Sequence, residues 1–288
     1  MARARIESAG PSTRLSDGTI ARITRSRVDE GYELEVDGTP QSHVDLGDPR
    51  TLRFEYVARM GAVIDLVREP REPITAVHLG AGALTLPRYV EHTRPGSRQQ
   101  VIELEPQLVS FVREHLPLPR GARIRVRIGD ARAVAERLPA GLQGACDLVV
   151  SDVFAGAQTP AHLTTTDYFR TLAGLLRPDG IVLVNIGDGP GLAFARRQIA
   201  TLAETFPAML GLADGQLLKG RRFGNLVLAA SPSVFPDDWP RLLRTAGPFP
   251  ASVASAEQLR ALASGVSAVT EEDATDSPKP SASIFLAR

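Results

Sequence analysis

The sequence predicts an α/β fold: a mostly parallel sheet covered by helices on both faces, ending in an antiparallel hairpin and preceded by a small antiparallel β-domain. Three observations carry this. From residue 74 onward, short apolar runs alternate with segments of helical spacing, the pattern of parallel strands joined by crossover helices. The last two apolar runs, 209–213 and 225–230, leave no room for a helix between them, so they should pair as a hairpin. Upstream, Tyr32-Glu33-Leu34-Glu35-Val36 alternates with period two and runs into Asp37-Gly38, a half-buried strand closed by a tight turn.

Taken in order, residues 1–18 are punctuated by Gly10, Pro11 and Gly18 and are expected to be a flexible start. Residues 19–27, with the branched and polar residues of a strand, join 32–36 and 43–46 to make a small β-domain over 19–50. Residues 51–68 repeat apolar positions at helical spacing and link it to the main domain, 51–232. There, strands 74–79, 100–104, 124–128, 146–151 and 181–186 alternate with helices 85–94, 106–115, 130–138, 167–176 and 192–205. Pro87 and Pro106 fall in first turns, where a missing N–H is tolerated. Residues 233–288 read as a helical extension, with short helices at 239–244 and 256–262, and a tail in which 271–283 is expected to be loop or disorder.

The 288 residues suffice for a substantial core, and 33 basic residues balance 33 acidic ones. That balance argues against a broad nucleic-acid-binding face. The single Cys146 excludes an intramolecular disulfide and a cysteine-based zinc cluster, and no metal site is expected. No apolar run approaches the ~18 residues of a membrane span, and no apolar leader segment is visible, so the expected location is the cytoplasm.

In an open parallel sheet, ligands sit beyond the carboxyl ends of the strands. Gly80-Ala81-Gly82 follows the first strand of the main domain, where two glycines allow close backbone approach to a ligand, or simply a tight turn. Glu103 ends the second strand and is placed to accept bonds from ribose hydroxyls, unless it is a solvated surface acid; Glu105 follows two residues on. Gly129-Asp130-Ala131 ends the third, where Asp130 either accepts the adenine amine or caps the next helix. Asp152 closes the fourth strand as a candidate base for an amine, the alternative being a loop-ordering aspartate. Phe154 is an apolar wall or core residue, and Asp167 favours a helix start. His78 is read as a packed histidine rather than a ligand contact, His162 as either a plain loop residue or one at the acceptor-side substrate entrance, and Lys219, Arg221 and Arg222 as a solvated hairpin tip, the alternative being a gate or an anion-binding cluster.

The strings VHLGAGALTLPRYV, VIELEP, RIGDARAV and CDLVVSDVFAGAQTPAHLTTTDYFRTLAGLLRPDGIVLVN resemble the spermidine synthase (polyamine aminopropyltransferase) family, a branch of the Rossmann-like, seven-stranded methyltransferase-type fold. The upstream YELEVDGTPQSHVDL resembles that family's small N-terminal β-domain, and together the matching segments cover roughly residues 19–232. The resemblance implies transfer of an aminopropyl group from decarboxylated S-adenosylmethionine to an amine. Decarboxylated or intact S-adenosylmethionine is then a co-substrate, with no prosthetic group. Glu103 would hold the ribose and Gly129, Asp130 and Ala131 the adenine, with Gly80 and Gly82 in the donor loop. Asp152 would deprotonate the amine, and Gln41 would help shape the substrate entrance. A homodimer is also implied. The chain departs from the family pattern at Ala83 and Ala155, where the family carries aspartates, and at Phe54-Glu55-Tyr56. The alternatives are therefore a methyltransferase that uses intact S-adenosylmethionine, or a non-catalytic nucleoside-binding homologue.

Overall fold

The computed structural model describes residues 10–279. Four antiparallel strands, β1 (Ser12–Arg14), β2 (Ile20–Arg25), β3 (Tyr32–Val36) and β4 (Thr39–Val44), form the N-terminal sheet in sequential order. Ser12–Arg14 is an edge strand paired with β2, where the sequence predicts loose chain; residues 1–9 lie outside the described residues. β3 and β4 are joined by Asp37-Gly38, both at positive φ (46° and 74°), the two-residue turn whose twist matches flanking strands. In β4, Leu34 pairs Ser42 while Glu35 pairs Pro40, so Gln41 is the extra residue of a β-bulge.

Helix α1 (Glu55–Leu66) leads to the main sheet. There β5 (Thr75–Leu79), α2 (Thr85–Thr93), β6 (Arg98–Glu103), α3 (Pro106–His115), β7 (Ile124–Ile128), α4 (Ala131–Ala135), β8 (Cys146–Ser151), α5 (Thr166–Leu175), β9 (Leu176–Asp188) and α6 (Ala193–Ala203) alternate as expected. β10 (Ala208–Ala213) and β11 (Gly224–Ser231) are antiparallel, with a four-residue helical turn, α7 (Gly215–Leu218), in the connection that the sequence leaves without one. Beyond them come α8 (Trp239–Ala246), β12 (Ser252–Ala254) and α9 (Ala256–Leu262). The seven expected strands are present, and β12 adds an eighth at the edge, giving the order β12-β10-β11-β9-β8-β5-β6-β7. A three-residue strand has too little pattern to be read from sequence; it exists because β10 offers it an open edge.

Alternation along the strands splits the core. Val77, Leu79, Val149 and Val182 pack under α5, α6 and α9, whereas Ala76, Leu148, Val150 and Leu183 pack under α1, α2 and α8. The N-terminal sheet places Ile23, Leu34 and Val44 against Ala83, Leu84 and Phe111, so it is seated directly on the turn after β5. No described helix is long and apolar enough to cross a membrane.

The chain enters the sheet at β5, moves outward to β6 and β7, then returns to the other side of β5 with β8. The strand order therefore reverses between β5 and β8, the place where such sheets bind ligands. At the opposite ends of these strands, buried Asp147 accepts from Arg68 Nε at 2.7 Å, Arg177 at 3.2 Å and the Thr75 amide at 2.8 Å. Asp147→Ala leaves that amide without its acceptor and both guanidiniums with Asp179 alone. Because both arginines reach solvent, the expected loss is about 1–3 kcal/mol rather than that of a fully buried pair, read as a lower urea midpoint at unchanged slope.

Candidate active site

The carboxyl ends of β5, β6, β7 and β8 bring the sequence-predicted residues onto one rim. Gly80 sits at φ +87°, and a Cβ there would lie 2.3 Å from the Asp152 carbonyl oxygen. Only glycine permits β5 and β8 to leave the sheet this close together. Glu103, half-buried, accepts the Ala81 amide at 2.8 Å through one oxygen and the Glu105 amide at 3.0 Å through the other. It thus ties the glycine turn to the next strand end. The Gly129 amide donates to the Glu103 carbonyl at 2.8 Å, which brings Asp130 alongside.

Asp130 caps α4, accepting the Ala133 amide at 2.9 Å, and its other oxygen meets His162 Nε2 at 2.8 Å. Burial pushes its carboxyl up, but the Ala133 amide and His162 outweigh this and hold it below the ordinary value. His162 therefore bridges from the loop after β8 back to β7. The perimeter closes: Asp152, the glycine turn, Glu103, Asp130, and a loop returning to its origin.

Asp152 itself accepts from Asn185 Nδ2 at 2.9 Å, and Asn185 in turn accepts from Asn225 Nδ2 at 3.0 Å. Burial pushes the Asp152 carboxyl up to about 6, against hydrogen bonds from Asn185 and Tyr56. Burial and the neighbouring Asp152 carboxylate raise the Tyr56 phenol in turn, well above its ordinary value. A carboxyl poised near neutrality beside a strand-order reversal is a candidate proton acceptor.

Several residues behave differently from a donor-loop reading. An added Cβ at Gly82, φ +48°, would meet Ser42 Oγ at 2.4 Å, and the Ala83 amide donates to that same hydroxyl at 3.1 Å. Gly82 thus admits β4 to the turn. Ala83 is buried against the N-terminal sheet, and Ala131 is buried behind the Asp130 cap. Gln41 precedes Ser42 and is re-aimed by the bulge at this seam. Glu105 caps α3 through the Gln107 amide at 3.0 Å and holds Ser16. His78 is packed, bonded to Gln99 at 3.0 Å, and burial drives it down to about 4. Among the described residues no group of three or more histidine, cysteine or acidic side chains could hold a metal ion.

Sequence reasoning missed Tyr56, Asn185 and Asn225. Tyr56 lies in a segment read only as an altered motif, and helical spacing alone could not show that its phenol meets Asp152. Asn185 did carry a signal: an amide inside the apolar run IVLVNIG must find a partner once buried. The loop after β8 is also held from an unexpected quarter. Ser277 accepts the Thr159 amide through its hydroxyl at 2.8 Å and donates its own amide to the Thr159 carbonyl at 3.0 Å, while Asp276 accepts the Ala161 amide at 2.8 Å. The described part of the stretch expected as loop or disorder, residues 271–279, has no helix or strand but is bonded in place; 280–283 lie outside the described residues.

No protein-family model matches the chain. It is 30% identical over 141 residues to a polyamine aminopropyltransferase of Vibrio vulnificus, a match covering 48% of this chain and 46% of that protein. The chain thus spans about half the length of the curated relatives it matches. It is 28% identical over 134 residues, 46% of its length, to an N-terminal histidine N-methyltransferase of Emericella nidulans, covering 23% of that protein. The crystal structure of a probable spermidine synthase from Corynebacterium glutamicum superposes with a TM-score of 0.82 at 31% identity, covering 91% of this chain and 96% of that one. The chain belongs with the spermidine synthase (polyamine aminopropyltransferase) family and the related methyltransferases that share its fold.

Because Asn185 and Tyr56 both favour the Asp152 carboxylate, removing either must raise its pKa further. Tyr56→Phe and Asn185→Leu are expected to shift Asp152 above about 6, read as the carboxyl carbon resonance followed through a pH titration. An unmoved midpoint in both variants rules out the hydrogen-bond account.

Proposed function

We propose that this chain is a group transferase acting on a sulfonium nucleoside, and that it moves an aminopropyl group from decarboxylated S-adenosylmethionine to an amine. The observation that carries this is Asp152: a carboxyl raised to about 6 at the strand-order reversal, held by Asn185 and Tyr56 beside the Gly80 turn. The family relationship supports the same reading.

The chemistry is a displacement. The amine lone pair attacks the carbon next to the sulfonium; the carbon–sulfur bond breaks, its electron pair neutralises the sulfur, and methylthioadenosine leaves. The ammonium formed must lose a proton. A free alkylamine near pKa 10.4 stands about four units above this carboxylate, roughly 6 kcal/mol. A buried amine falls by several units while the same burial has raised the acid, so the two converge and the proton can pass to Asp152. Glu103 on the ribose and Asp130 at the adenine edge would align the donor, whose sulfonium supplies the driving force. The protein's part is alignment and a dry base.

One observation favours methyl transfer from intact S-adenosylmethionine as a second reading. Buried Arg88 donates to the Ala83 carbonyl at 3.2 Å and to the Pro117 and Leu116 carbonyls. Burial lowers its pKa to about 10, so it keeps its charge at neutral pH. Position 83 carries no acid, and a cation behind the turn is compatible with a donor that keeps its carboxylate.

Calorimetric titration with the intact and decarboxylated donors separates the two readings: tighter binding of the decarboxylated form supports aminopropyl transfer, and preference for the intact form supports methyl transfer. Binding of neither, and of no methylthioadenosine, removes both. With the preferred donor and an amine, turnover should rise with pH through about 6, as Asp152 loses its proton. Asp152→Asn should lower kcat about 10²–10⁴-fold while donor affinity stays within a factor of about three, followed as release of the thioether nucleoside. Full turnover in that variant eliminates Asp152 as the base.

A further inference from the structure

Asn225 lies on β11, the strand of the antiparallel hairpin that borders the parallel part of the sheet. In the register of β9 and β11, Val227 is directly opposite Asn185 and Gly187 directly opposite Asn225. Asn185 and Asn225 are thus diagonal neighbours on one face, within side-chain reach, and Gly187 has no side chain to compete for Asn225. Asn225 Nδ2 donates to Asn185 Oδ1 at 3.0 Å, and Asn185 Nδ2 donates to Asp152 Oδ1 at 2.9 Å. Asn185 is buried, so both ends of its amide need partners from the protein.

A carboxamide has one end that donates and one that accepts, whereas an ionised carboxylate only accepts. Asp152 can therefore stay ionised beside Asn185 only if the donating end faces it. Turned over, Asn185 would set its oxygen against the Asp152 carboxyl, which suits the protonated acid alone. The amine of Asn225 opposes that turn, because a reversed Asn185 would bring its own amine against it. Both amides would have to turn together. Without Asn225, either orientation of Asn185 leaves one buried end unpaired, and the row no longer favours the donating end at Asp152. The other group acting on Asp152 is the Tyr56 phenol of α1.

We propose that Asn225 is a positioning residue: by holding the Asn185 amide in one orientation it presents a donor to Asp152 and keeps that carboxyl ionised, ready to take the proton of the amine. The proton's source rests on the transferase reading above; the effect on Asp152 holds for either donor. Burial opposes ionisation of Asp152 while Asn185 and Tyr56 favour it, so the orientation of one amide bears directly on that balance. The hairpin strand thereby acts on a carboxyl two strands away, at the end of β8.

The test is a double-mutant cycle, read as the Asp152 carboxyl carbon resonance through a pH titration of the whole chain. Asn225→Leu should raise the proton affinity of Asp152 about three-fold or more. In an Asn185→Leu background the same change should move it by less than about 1.5-fold, because Asn225 acts only through Asn185. Asn225→Asp keeps the size but only accepts; it adds a negative charge and draws the Asn185 amine to itself, so it should raise the affinity more than Asn225→Leu does. If a leucine variant does not fold, Asn225→Ala and Asn185→Ala complete the cycle. An unchanged affinity in the folded Asn225 variants, or an equal rise in both backgrounds, overturns the inference, and Asn225 then only satisfies a buried amide. With donor and amine, Asn225→Leu should move the rising limb of kcat to higher pH while donor affinity stays within about two-fold. A shifted carboxyl with no turnover in the parent protein supports the positioning role and counts against the transferase reading. Turnover with an unmoved carboxyl overturns the positioning role and leaves that reading standing.

Discussion

The site depends on one close approach, the backbone of Gly80 against the backbone of Asp152. β5 and β8 are the strands between which the order of the sheet reverses, and their chains diverge toward opposite faces as they leave it. With a Cβ at position 80 clashing at 2.3 Å, the two strand ends would have to separate. The Ala81 amide would then lose its fixed relation to Glu103, and the Asp152 carboxyl its relation to Asn185 on the next strand. A single missing methyl group thus sets the distance between the Glu103 side of the rim and the Asp152 side.

Around that contact the polar groups are arranged in closed sets. Glu103 uses its two oxygens on two amides, Asp130 uses one on its helix and one on His162, and Asn185 passes a hydrogen bond from Asn225 to Asp152. Partial burial with full satisfaction rigidifies such a network, whereas a missing member would leave a costly orphan. The loop after β8 takes part in this order through the C-terminal segment, whose Asp276 and Ser277 hold it from outside the sheet. Residues far apart in the chain therefore control the position of Phe154 and His162.

The N-terminal sheet contributes more than a cover. β4 delivers Ser42 to the space beyond Gly82 and the amide of Ala83, and it bulges at Gln41 beside this contact. Ala83, at a position where the family it resembles carries an acid, faces an apolar seam between the sheets. The same seam holds the glycine turn in shape, with Arg88 bracing its carbonyl from below.

Strand and helix alternation, the hairpin at Asp37-Gly38, and the placement of Gly80, Glu103, Asp130 and Asp152 at strand ends were all legible in the sequence, because each follows from local periodicity and from the rule that parallel strands point their carboxyl ends one way. Several features were decided only by tertiary structure: that Tyr56 reaches Asp152 from a different element, that Gly82 yields to Ser42 rather than standing open, that His162 returns to Asp130, and that Ser252–Ala254 joins the sheet as an eighth strand. Each is a contact between segments distant in sequence, and such contacts are selected by the packing of whole elements. No local pattern encodes which surface a phenol or an open sheet edge will meet.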